Sequence, residues 1–179
     1  MFFYFIVGLG LLGATLHLVF DKKARGRRRI LEILLLYLLP TTIGLMGLWG
    51  FLGHMFLSNK VASLIGWPTG NPFQKEIAFA NLAFGTLGIL CIWIRGNFWL
   101  AAILGQGVFM WGAAGVHLWQ IIVYKDYAPD NAGTILYLDI LIPLILLTLW
   151  VDLKLSERKE RSLQPLSGQG PEIAGKNLP

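Results

Sequence analysis

Cysteine is nearly absent: Cys91 is the single one in 179 residues, so the chain can build neither an internal disulfide framework nor a cysteine-based metal motif. Charge is scarce as well. Asp, Glu, Lys and Arg make up 14% of the residues, against about 25% in an ordinary soluble domain. With a mean hydropathy of +0.62, that scarcity excludes an ordinary soluble fold. No catalytic motif such as H-E-x-x-H is present, so the sequence leaves open whether the protein is an enzyme. No internal repeat at a fixed period, inverted or direct, is visible, which counts against a self-contained carrier.

What the sequence does have is long apolar runs. A membrane-crossing helix needs about 20 mostly apolar residues, and five stretches qualify: Phe2–Phe20, Ile30–Leu57, Ile77–Ile94, Phe98–Val123 and Thr134–Leu153. The expected fold is therefore all-α, a polytopic membrane helix bundle with five transmembrane helices. Residues 1–155 form the membrane domain and residues 156–179 a disordered cytoplasmic tail, since the end of the chain is rich in Pro, Gly, Ser and Gln.

Basic residues set the orientation, because Lys and Arg collect in cytoplasmic loops. Lys22, Lys23, Arg25, Arg27, Arg28 and Arg29 crowd the first loop, and Arg95, Lys154, Arg158, Lys159, Arg161 and Lys176 fall on the same side. Only Lys60, Lys75 and Lys125 fall on the other. This predicts an outside N-terminus and a cytoplasmic C-terminus. The same loop offers contact with anionic lipid headgroups, and since it abuts two spans no nucleic-acid partner is needed to explain it. The first run is expected to stay as a helix, because its positive charges follow it and no small-residue cleavage site is clear.

Helix-spaced small residues (Gly10 and Gly13; Gly47 and Gly50; Asn81, Gly85 and Gly88) predict closely packed spans. The second run is long for a bilayer, and Pro40 predicts a kink in it, with Thr41 and Thr42 placed to satisfy freed carbonyls. Pro143 has the same potential in the fifth. Between runs two and three, Val61, Leu64, Ile65 and Trp67 suggest a short interfacial helix, followed by a turn over Pro68–Pro72.

Polar residues within or beside the spans are the candidates for function, because ionisable groups are costly there. His54, Glu76, His117, Gln120 and Asp139 all fall within about 10 Å of the outer interface at 1.5 Å per residue. In the fourth run, Gln106, Met110, Ala113, His117 and Gln120 share one helical face. Asp139 is the natural partner of His117, since a short loop makes their helices neighbours, and a carboxylate orients an imidazole and raises its basicity. Glu76, His117, Gln120 and Asp139 form the candidate ligand-binding set. His54, Glu76, His117 and Asp139 have the donor types for a divalent metal, and His54 with His117 could ligate haem. The bland alternative is a structural network, with Glu76 capping its helix or pairing with Lys75 near the headgroups. His17, four residues before Asp21, reads as half of an interfacial pair, Glu32 as compensation for the basic loop, and Cys91 as mid-span packing.

Two segments also carry a resemblance. Asn71–Gly85 contains a Pro-Phe-Gln-x-Glu element at Pro72–Glu76. Gly115–Asp139 contains His117-x-x-Gln120 and an Ala-Pro-x-Asn-Ala-Gly loop at Ala128–Gly133. Together they resemble an uncharacterised prokaryotic family of integral membrane proteins catalogued only as a domain of unknown function, over most of residues 45 to 150. The resemblance implies a multi-pass inner-membrane protein and no established activity or cofactor. Asp130 stands where the family pattern suggests glycine, which puts the loop's conformation in question. Two function classes remain: a protein with an outward-opening polar pocket for a small ligand, proton or metal, and an accessory or assembly subunit of a larger membrane complex. A homo-oligomer fits either.

Overall fold

The computed structural model describes residues 2–23 and 26–163, and every regular element among them is helical. Helix α1 is Phe2–Phe20, α2 is Arg27–Phe56, α3 is Ser58–Ile65, α4 is Phe73–Leu90, α5 is Asn97–Tyr124 and α6 is Thr134–Leu163. Four of these (α1, α2, α5 and α6) are long and apolar enough to cross a membrane. Helix α4 falls short of them because Gln74, Lys75 and Glu76 occupy its first turn. It also ends earlier than the apolar run suggested. Leu90 is its last residue, so Cys91 lies in the following turn rather than mid-span; it is buried, and its carbonyl accepts from Trp99 Nε1–H at 2.9 Å. The expected tail boundary also moves. Residues 156–163 continue α6, and the rest of the expected tail lies outside the described residues.

Pro40 reshapes α2 in the way its missing N–H requires. Leu39–Leu45 winds as a π-helix, with the Met46 N–H reaching back to the Thr41 carbonyl. Thr41 Oγ1 donates to the Tyr37 carbonyl at 2.8 Å and Thr42 Oγ1 to the Leu38 carbonyl at 2.6 Å. The threonines thus supply partners to carbonyls the wider turn leaves short. Immediately below, α2 and α4 meet backbone to backbone. A Cβ on Gly47 would lie 2.6 Å from the Gly85 nitrogen, and one on Gly88 would run into Gly44. Only glycine permits that approach, which exchanges helix propensity for dispersion contacts.

The core beneath this seam is apolar: Leu35, Leu39 and Ile43 of α2, Trp99 and Ile103 of α5, and Leu146 of α6. Outside it, Phe5, Leu12, Phe20, Val108, Ile122, Leu144 and Ile145 are exposed. Apolar surface this extensive is what a bilayer covers.

Ion pairs gather at one end. Arg27 meets Asp152 at 2.7 Å, Arg28 meets Glu160 at 3.2 Å and Arg95 meets Glu32 at 3.0 Å. The α1–α2 loop, the α4–α5 turn and the C-terminal half of α6 therefore share this basic end. Asp21 pairs with Arg29 at 2.7 Å rather than with His17, whose Nε2 stands 3.5 Å from the Arg29 guanidinium. At the other end the two longer loops interlock. The Asp130 N–H donates to the Leu64 carbonyl at 3.0 Å, and Gly66, at φ +86°, packs against the Asp126 carboxylate where any Cβ would collide. Asp130 needs no left-handed backbone, so an aspartate suits the loop.

Candidate functional site

Helices α5 and α6 pack along their length, and His117 and Asp139 meet across them. Both side chains are buried, and His117 Nε2 lies 3.8 Å from Asp139 Oδ2. The other ring nitrogen, Nδ1, is 2.7 Å from Oδ1 of Asn131, which is fully buried in the α5–α6 loop. Asn131 in turn donates through Nδ2 to the Asp126 carbonyl at 2.7 Å. A backbone carbonyl can only accept, so the amide orientation follows: its oxygen faces His117 and its nitrogen faces Asp126. His117 must then carry a proton on Nδ1, and its Nε2 faces the Asp139 carboxyl.

At 3.8 Å that last pair is beyond a direct hydrogen bond. A small group seated between the two, at about 2.8 Å from each, would join them. Deeper in α5, Gln106 is buried on the same face. Its Nε2 donates to Met110 Sδ at 3.2 Å and its Oε1 has no partner among the described residues. The polar face read from the sequence is therefore turned inward.

The remaining candidates go elsewhere. His54 bonds through Nδ1 to Oε1 of the buried Gln74 at 2.6 Å. Glu76 is exposed and makes no side-chain hydrogen bond or ion pair among the described residues. Gln120 is half-buried and lines a cavity of about 320 Å³ with Trp67, Asn71 and Gln74, walled by Pro68, Phe73 and Val116. A second cavity, about 430 Å³, lies at the basic end beside His17, Asp21 and Tyr37. Neither is lined by His54 or His117. Among the described residues no three His, Cys, Asp or Glu side chains converge as metal ligands, so the four-residue metal set is not brought together.

The sequence match extends beyond the two segments quoted above. A family model described as a family of unknown function, DUF6790, matches residues 1–160. The chain belongs to DUF6790. No curated protein and no solved structure matches it. In this DUF6790 chain two polar residues outside the candidate set hold two of its three histidines, Asn131 for His117 and Gln74 for His54. Both lie inside the elements that carried the resemblance, and neither is ionisable, so a search by charge passes over them. Gln74 had a readable signal: it falls in phase with Ala78, Asn81, Gly85 and Gly88, whereas Glu76 does not.

Proposed function

We propose that this DUF6790 member is a five-span inner-membrane protein of a prokaryotic cell whose outward end carries a proton-binding pair, His117 and Asp139. Support for five crossings comes from the two ends of the molecule. Helix α4 joins the end with the interlocked loops to the end with the ion pairs, as do the four more apolar helices. The basic end carries Arg27, Arg28, Arg29 and Arg95, which favours placing it in the cytoplasm with the C-terminus.

One observation carries the functional reading. His117 has its Nδ1 committed to Asn131 and presents Nε2 to Asp139 at 3.8 Å, with both groups buried. An imidazole and a carboxyl in that relation can pass a proton from one to the other through a small group that reaches the gap. Here Asn131 fixes which nitrogen takes part, and Asp139 receives the proton or returns it.

Nitrogen-15 NMR of histidine-labelled protein in detergent tests this, with His117→Asn assigning the signal. The His117 ring should carry a proton on Nδ1 in the wild type, and its Nε2 signal should shift in Asp139→Asn. A His117 Nε2 signal that does not respond to Asp139→Asn would make the pair a static strut.

A second reading, an accessory or assembly subunit, is favoured by α1. This helix buries only Ile6, Gly10 and Ala14 and leaves a broad apolar face. A stoichiometric partner retained after mild solubilisation supports it, and a homogeneous preparation of this chain alone counts against it.

A further inference from the structure

The cavity between the α3–α4 loop and the end of α5 has a lining of unusual chemistry. Four polar side chains reach it, and none is charged: Trp67, Asn71, Gln74 and Gln120. Hydrogen bonds within the protein use up acceptors more than donors. Gln74 Oε1 is taken by His54 at 2.6 Å, and Asn71 Oδ1 accepts the Phe73 N–H at 2.9 Å. The amide nitrogens of both residues have no partner among the described residues, and Gln74 is 3% exposed. The indole N–H of Trp67 is buried with no partner at all among the described residues. A buried donor left unpaired costs about 1–3 kcal/mol, so the Trp67 N–H is short of an acceptor. The remaining walls, Pro68, Phe73 and Val116, are apolar.

We infer that this cavity binds the carbonyl end of a neutral amphiphile, with Trp67 Nε1 and Gln74 Nε2 donating to its oxygen and Gln120 closing the far side. Three features set that class. Trp67 Nε1 and Gln74 Nε2 are donors unpaired among the described residues, so the ligand brings an acceptor. It offers no cation, so a carboxylate or phosphate would give up its hydration without a counter-charge. Its volume of about 320 Å³ admits a head of one ring or one ester unit, at the small end of ligand sites. His54 acts behind this wall as a positioning residue: its bond to Oε1 turns the Gln74 amide nitrogen away from itself. The site is separate from the His117–Asp139 pair, and neither of those residues lines it.

Two sources supply that chemistry, a free quinone-type ring and the ester carbonyl of a lipid. Isothermal calorimetry on the detergent-purified full chain separates them, using a decyl-substituted benzoquinone in one titration and a short-chain diacylglycerol in another. Saturable binding of the quinone alone assigns the free ring, and saturable binding of the diacylglycerol assigns the lipid ester. Trp67→Phe keeps the ring and removes the donor, and should weaken binding about tenfold. Gln120→Leu replaces a half-buried side chain with no hydrogen-bond partner among the described residues and should weaken it without loss of melting temperature, so it decides the matter if Trp67→Phe does not fold. Absence of saturable binding by either probe overturns the inference. So does binding that both variants leave at wild-type strength.

Discussion

His117 and Asp139 face each other at 3.8 Å from two different helices, so their separation is set by how α5 and α6 pack. One turn beyond Asp139, Pro143 lacks the N–H that a regular helix would direct at the Asp139 carbonyl. Gly107 of α5 sits against that proline, and a Cβ there would come within 3.3 Å of the Pro143 Cβ. The carboxyl that meets the histidine therefore belongs to a stretch of α6 whose backbone is already short of one hydrogen bond, and a close glycine contact holds it in place.

Asn131→Leu should destabilise the fold by about 2 kcal/mol. It leaves both the His117 Nδ1–H and the Asp126 carbonyl without their buried partner. Thermal melting in detergent reads this directly. A variant that melts like the wild type would mean water replaces the amide freely.

Gly85→Val should cost at least the 1–3 kcal/mol or so typical of overpacking, because its new Cβ would meet the Leu48 nitrogen at 2.9 Å. Gly112→Ala is the control. Nothing lies within 4 Å of a Cβ at that position, and alanine is the better helix former by up to about 1 kcal/mol, so it should be neutral or mildly stabilising.

Acid should weaken the basic end. The Arg29 guanidinium, with help from the Lys23 N–H, holds the Asp21 carboxyl below its ordinary value of 3.8. The folded state thus prefers the carboxylate. Its contribution is complete above that ordinary value and is lost as pH falls through the lowered native one. Wild type and Asp21→Asn should differ in melting temperature at neutral pH and converge at the acid end of a pH series. A constant gap would mean the pairing is not what Asp21 contributes.

Labelling of single cysteines tests the orientation. In a Cys91→Ala background, Lys60→Cys should react with an impermeant maleimide added outside intact cells, and Arg95→Cys only after permeabilisation. The reverse pattern would invert the proposed topology.

The all-helical fold and its apolar helices were readable because apolar run length and charge position are one-dimensional properties. The pairing of His117 with Asp139 was readable for a similar reason, since a short loop forces their helices together. Rotation about each helix axis was harder. Glu76 lies at the same depth as His54, but it sits about 140° around the helix from Asn81, which faces the glycine seam, at 3.6 residues per turn. That phase turns it to the outside. Asn131 was hidden for another reason: its role comes from a loop that folds back onto Leu64 through Asp130, a long-range contact that no local spacing encodes. The shortfall of α4 in apolarity also has a local cause, since three polar residues open a helix of 18.

That shortfall bears on biogenesis. Helix α4 brings Gln74, Lys75 and Glu76 with it, a weak passenger for a translocon that sorts segments one at a time by hydrophobicity. Its glycines lie directly on the backbone of α2, the helix made shortly before it. On the proposed five-span reading, α4 would then enter as the second arm of a hairpin whose first arm is already seated. A bulky residue at Gly47 would strand the second arm rather than merely loosen a finished bundle.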